Sequence, residues 1–313
     1  MHPLLPAETW ADWRAQLPQI QSCLQEWISA RASDPAWYLA QCQILASATP
    51  SDRPLNLLFK ALGLAARKLG KADLALSAAQ LQAAQTARAG WDPSRWSVDQ
   101  AARSGLIVCT LAHLPSMEAC AALLEQIAEQ SEIQEQIALY QGYALYPQHP
   151  LLLPRAREAV RNGMRPVFAA FALRNPWPLA MFDEAAWNQM AVKTFFLDLP
   201  LWPVQGLSAR ANPALSAILY DLLCERRSAG RAISAELWRM LALCPDARIC
   251  AVLQDLAQQA APGSALRAAL ARAVLESGAP ELDALRARLA QEYGAAMQDG
   301  SLADWPALAP WQE

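Results

Sequence analysis

The sequence predicts an all-α protein, and three observations carry that prediction. Alanine makes up about a fifth of the chain and leucine is the next most abundant residue; both are strong helix formers. Strand-like alternation of Val, Ile, Thr and aromatic residues is almost absent. Glycine and proline fall between runs whose apolar residues recur every three or four positions, where helix terminators belong.

The 313 residues, 54% hydrophobic and 18% charged, exclude a disordered chain. They are enough for two domains or one long array. A net charge of −3 and a pI near 5.7 argue against nucleic acid as a partner.

The elements follow in order. Asp34-Pro35 reads as an N-cap with proline at the first helical position, opening a helix to about Ser47. Pro54 opens another that Gly70 ends. Within it, Gly63 to Ala72 superficially resembles a phosphate loop, but the spacing is wrong and Ala72 replaces the metal-binding hydroxyl. A helix is expected over 72–89, closed by Gly90. Ser97 opens one to about His113, and Ser116 caps the next. Ser131 with Gln134 fits a capping box for 132–144. Asp183 begins a helix through Phe196, and Asn212-Pro213 begins one through Ser228. Ser234, Asp246, Ser264 and Pro280 open shorter helices over 234–243, 246–259, 264–277 and 280–292.

Loops of two to six residues place these last helices side by side. The expected fold is a multi-helix array of antiparallel helix pairs, a HEAT-like α-solenoid in at least the C-terminal half. A plain multi-helix domain is the alternative. The expected divisions are an N-terminal helical region at 1–150, a second helical region at 151–300 and a tail at 301–313. The middle differs from both ends. Proline recurs between 163 and 213, and Asp198 to Leu207 cannot be a regular helix because Pro200 and Pro203 remove donors and fix φ. That segment is apolar and carries Trp202, so it must pack on something.

The N-terminus lacks a basic region and an apolar run, so no signal peptide is expected. No stretch approaches the ~20 apolar residues of a membrane span. Seven cysteines without CxxC spacing, most set among Leu, Ala and Ile, suggest free thiols and a cytoplasmic protein.

Common catalytic signatures are missing: HExxH, GxSxG, GxGxxG, ExxH and DDxxD. The histidines are His2, His113 and His149, and no two share a helix face, so no metal site and no cofactor is expected. What remains are polar residues with two readings each. Arg157, Arg161 and Arg165 at four-residue steps could hold a phosphate, or form a solvated face with Glu158. Asn188, flanked by Trp187 and Met190, must be hydrogen-bonded, either to a loop or to a ligand. Gln189 and Lys193 are helical neighbours. Asp221 and Glu225 lie one turn apart and need a positive group between them, such as Arg210, Arg231 or Arg239, or else a metal or a cationic ligand.

The middle segments resemble the EboA-domain family. The residues that carry the likeness are Ala159 to Phe168, Leu173-Arg-Asn175-Pro-Trp-Pro178, Phe182 to Met190, Gly206 to Pro213 with Arg210 and Asn212, Asp221, Glu225-Arg226, Ala229-Gly-Arg231, and Glu236-Leu-Trp238-Arg239. They span roughly 155–245. The sequence departs from the family pattern after Asp221, where Cys224 and Arg227 stand in place of the family's His and Trp.

The resemblance implies a gene-cluster context. The neighbours it implies are a membrane prenyltransferase, a sugar-phosphate-cyclase-like enzyme and TIM-barrel enzymes that make or move a specialised metabolite. Three roles follow. The first is an accessory or scaffold protein holding such partners or a pathway intermediate on a helical surface. The second is an enzyme or binder of a cyclitol, sugar-phosphate or prenylated intermediate, in which Asn188, Lys193, Asp221, Glu225, Arg226 and Arg239 would converge on one pocket lined by Trp187 and Trp238. The third is purely structural, with those same residues knitting the irregular middle to the helical stack.

Overall fold

A computed structural model describes residues 6–49, 54–231 and 233–308. His2 and the end of the expected tail, 309–313, lie outside the described residues. Among the described residues there are seventeen α-helices and no strand. Close contacts divide the chain into two compact units, the first ending at Asp183 and the second beginning at Glu184. The boundary expected between 150 and 151 falls within the first, at the 3-10 turn Pro150–Leu152.

The first unit holds α1 (Trp10–Arg31), α2 (Pro35–Ser47), α3 (Pro54–Leu69), α4 (Ala78–Ala87), α5 (Val98–Ala112), α6 (Met117–Gln130), α7 (Ile133–Gln141), α8 (Leu153–Arg161), α9 (Arg165–Ala172) and α10 (Trp177–Met181). Its centre is α5, in which every residue is buried. It packs against α1, α2, α3 and α7. A helix buried on all sides must satisfy its own polar groups. Asp99 accepts from Ser97 Oγ at 2.7 Å and pairs with Arg103 at 2.5 Å. The Arg103 Nε donates to the Leu62 carbonyl at 3.0 Å, and Ser104 Oγ donates to that of Ala138 at 3.0 Å. A second core lies around Tyr143, whose ring meets Phe171 and Trp177 edge-on, each at 5.2 Å.

Two local expectations need correction, and one helix was not expected. The long helix α1 opens on a capping box in which Thr9 and Asp12 satisfy each other's backbone donors; Pro18 in its interior disguises it in the sequence. Residues 72–77 are not helical. Leu74 N–H donates to Trp96 O and Val98 N–H to Ala72 O, each at 2.9 Å, so this segment pairs with the turn before α5. Helix α4 starts only after Ser77, whose capping box uses Gln80. Finally, Ser131 closes α6 rather than capping α7, because Gln134 is engaged with Gln100 of α5 at 2.9 Å.

The second unit holds α11 (Glu184–Phe196), α12 (Pro213–Ser228), α13 (Ala235–Leu243), α14 (Ala247–Gln259), α15 (Ala265–Glu276), α16 (Asp283–Gln298) and α17 (Trp305–Leu308). The caps Asn212, Ser234, Asp246 and Ser264 each accept a backbone N–H as expected. Pro280 opens a 3-10 turn before α16, which runs beyond the expected end at 292. Helices α13 and α15 pack together, with α14 and α16 beside α15. The closing helix α17 is fixed by Trp305, which donates to Glu276 Oε2 at 2.7 Å.

The buried Asp99–Arg103 pair gives a direct test. Asp99→Ala strands a guanidinium inside the protein and should cost about 3–5 kcal/mol in urea unfolding. A loss below about 1 kcal/mol, the size of a surface pair, would show that Arg103 does not depend on this partner.

Candidate functional site

The irregular segment between α11 and α12 shapes the second unit. Leu199, Leu201, Pro203, Val204 and Leu207 are buried, so its backbone donors need partners away from water. Glu236, in the first turn of α13 and itself fully buried, supplies two. Its carboxylate accepts from Leu201 N–H at 2.9 Å and from Trp202 N–H at 2.5 Å. Burial pushes its carboxyl up from 4.5 to about 7, against the two N–H groups and Arg239, which pull it down.

The same segment sets α11 beside α12. Asn188 and Asn212 exchange amide hydrogen bonds at 2.8 and 3.1 Å. Asn212 Oδ1 also caps α12 through Leu215 N–H at 2.9 Å, and its amide donates to Arg210 O at 3.0 Å. Arg210 is buried, with its guanidinium 5.0 Å from the Trp187 ring. Arg226 stacks on Phe195 at 4.8 Å and approaches Asp198 at 3.5 Å.

With Trp187, Met190, Thr194 and Phe195 of α11 turned inward, its opposite face forms one wall of an open groove of about 690 Å³. Glu184, Ala185, Asn188, Gln189, Val192, Lys193 and Phe196 line that wall at helical spacing, and Ala214 and Ile218 of α12 line the other. Phe196 is 55% exposed and Ile218 45% exposed, so the groove presents two large apolar side chains to solvent. Burial lowers the Lys193 ammonium below its ordinary value.

The candidate residues therefore separate. Of those expected to share one pocket, only Asn188 and Lys193 line the groove. Trp187 and Trp238 are buried. Asp221 is exposed, and Glu225 pairs with Arg231 at 3.1 Å on an exposed surface. Arg239 stacks on Trp305 at 5.1 Å and lies 3.6 Å from Glu276, which also pairs with Arg272 at 2.9 Å. In the first unit, Arg157 pairs with Asp183 at 2.8 Å and Arg161 with Glu158 at 2.5 Å, while Arg165 is exposed at the start of α9. Asn175 is buried, donating to Tyr140 O at 3.2 Å and accepting from Trp177 N–H at 3.1 Å. Among the described residues no three His, Cys, Asp or Glu side chains are grouped to hold a metal ion.

Sequence reasoning missed Ala185, Val192, Phe196, Ala214 and Ile218. Their signal was available: α11 carries apolar residues on both faces, more than one buried stripe requires.

A family profile described as metabolite traffic protein EboA matches residues 20–242. No curated protein and no solved structure matches the chain.

Glu236 yields a pH prediction. Its folded pKa lies above the ordinary one, so its contribution to stability is complete below about pH 4.5 and is lost as pH rises through about 7. The thermal midpoint should fall from about pH 5 to about pH 8, and Glu236→Gln should remove most of that slope. An unchanged slope in the variant would mean that another group titrates.

Proposed function

The chain belongs to the EboA family, and from that premise we propose that it is an accessory protein of an Ebo-type specialised-metabolite pathway that holds a pathway intermediate in the α11–α12 groove. The observation that carries this reading is the groove itself, with Phe196 and Ile218 exposed beside Lys193 and the exposed Gln189 amide. Apolar walls with a few polar groups suit a small molecule that has a greasy body and an oxygen-bearing end, such as a prenylated compound. The family description, a metabolite traffic protein, supports holding or handing on such a compound. Conversion of a cyclitol or sugar-phosphate derivative is the second reading. Glu184 and Lys193, both in the groove lining, are the ionisable groups it would use.

The partners of this role are products of the same gene cluster, including a membrane prenyltransferase and TIM-barrel enzymes. Among the described residues no helix is long and apolar enough to cross a membrane, so such a prenyltransferase would be met from outside the bilayer. The packing of α13 on α15, with α14 and α16 alongside, supports an array of stacked helix pairs as the partner-facing surface. Seven free thiols suit the cytoplasm.

The test uses a fluorescent apolar anion, anilinonaphthalene sulfonate, with the native protein. Its emission should rise on binding and fall when a farnesyl alcohol or phosphate competes. Ile218→Ser should weaken the probe at least about tenfold, about 1.4 kcal/mol, without moving the thermal midpoint, because Ile218 is already half exposed. Equal binding by wild type and variant would contradict the groove assignment.

A further inference from the structure

The first unit carries a second arrangement that the proposed function leaves unused. Tyr38 and Cys42 stand one turn apart on α2, and Gly105 and Cys109 stand one turn apart on α5, so the two helices meet in matching register. A side chain at Gly105 would lie 2.3 Å from the Tyr38 hydroxyl, so glycine there lets the Tyr38 ring lie against α5. One turn further on, the Cys42 and Cys109 sulfurs are 3.3 Å apart. Two thiols at that distance are in hydrogen-bonding contact, and a disulfide would bring the sulfurs to about 2.05 Å.

The surroundings distinguish the two sulfurs. Cys109 S–H donates to Cys42, and the Tyr38 hydroxyl does the same, so both favour the Cys42 thiolate. The Cys42 thiol is held below its ordinary value mainly by the Cys109 hydrogen bond. Cys109 is pushed far above by that same bond and by burial. Gln21 Nε2 reaches Cys109 at 3.8 Å. Cys42 and Cys109 both line a separate opening of about 340 Å³, lined also by Gln21, Gln25, Gln43 and His113, with no carboxylate in its lining. Cys42 and Cys109 are 8% and 6% exposed, so each keeps a small accessible surface in a residue that lines that opening.

We propose that Cys42 and Cys109 are a redox modification site, in which Cys42 reacts with a hydroperoxide and Cys109 resolves it to a disulfide joining α2 to α5. In the first step the Cys42 sulfur attacks the peroxide oxygen. An S–O bond forms, the O–O bond breaks, and the alcohol or water leaves with the thiol proton. In the second, the Cys109 sulfur attacks Cys42. The S–S bond forms, the S–O bond breaks, and hydroxide leaves as water with the Cys109 proton. The two thiols lose two electrons and the peroxide gains them. A dithiol reductant reverses the bond by exchange.

The test treats the reduced, full-length protein with one equivalent of hydrogen peroxide, blocks remaining thiols and maps the peptides by mass spectrometry. The exposed Cys224 serves as an internal reference. The expected result is a Cys42–Cys109 cross-link that dithiothreitol removes, formed about tenfold faster than any oxidation of Cys224. Cys109→Ser should stop at a Cys42 sulfenic acid trapped by dimedone. Oxidation of Cys224 while Cys42 and Cys109 remain thiols in the wild-type protein would overturn the proposal, and this arm needs no variant to fold. A Cys109→Ser protein that melts like wild type but gives no dimedone adduct at Cys42 would overturn the assigned order of attack.

Discussion

The second unit depends on how a proline-rich, non-helical connection satisfies its backbone inside an apolar environment. Between α11 and α12 the chain buries six apolar side chains, yet it has no helical ladder to take its N–H groups. Pro200 and Pro203 reduce the number of donors. Glu236 accepts from Leu201 and Trp202, and Asn212 engages Arg210, Leu215 and Asn188. A buried carboxylate costs desolvation, and two N–H groups on one carboxylate offset much of it. Because these bonds are made by α13 and by the start of α12, the connection is anchored to both and α11 is held beside α12.

The groove is a consequence of that anchoring. Helix α11 turns Trp187, Met190 and Phe195 inward, where Arg210 and Arg226 cover two of the rings. Its other face is left with Val192 and Phe196, opposite Ile218. Exposed apolar side chains are ordinary when scattered, but grouped around a concave surface they mark a place where something binds. The lining combines that apolar surface with an ammonium and amides, which suits grip on a small amphipathic molecule and matches a family described by metabolite traffic.

Much of this was legible in the residues. Capping side chains followed by apolar periodicity located α2, α6, α12, α13, α14 and α15, because a cap is a local interaction between neighbours in sequence. The misreadings have non-local causes. Residues 72–77 favour a helix intrinsically, but pairing with the turn before α5 overrides it. Gln134 looks like a capping residue and is instead taken by Gln100. For the site, Asn188 was read as needing a partner, and Asn212 is that partner. The expected convergence of Asp221, Glu225 and Arg239 failed for geometric reasons. Spacing on one helix says which residues share a face, whereas Glu225 meets Arg231 on an exposed surface and Arg239 meets Glu276 of α15. The second apolar face of α11 hints at Phe196, whereas Ile218 on α12 reads as a core residue and its exposure is set by the three-dimensional placement of its helix.

The central claim, that the α11–α12 groove holds an apolar metabolite, is tested most directly by photoaffinity labelling. The native protein would be irradiated with a diazirine-bearing farnesyl derivative, and the labelled peptides mapped. The label should fall on Ala185 to Phe196 and Ala214 to Ile218, and unlabelled farnesol should suppress it. Labelling spread over the surface, or concentrated elsewhere and indifferent to competitor, would contradict it.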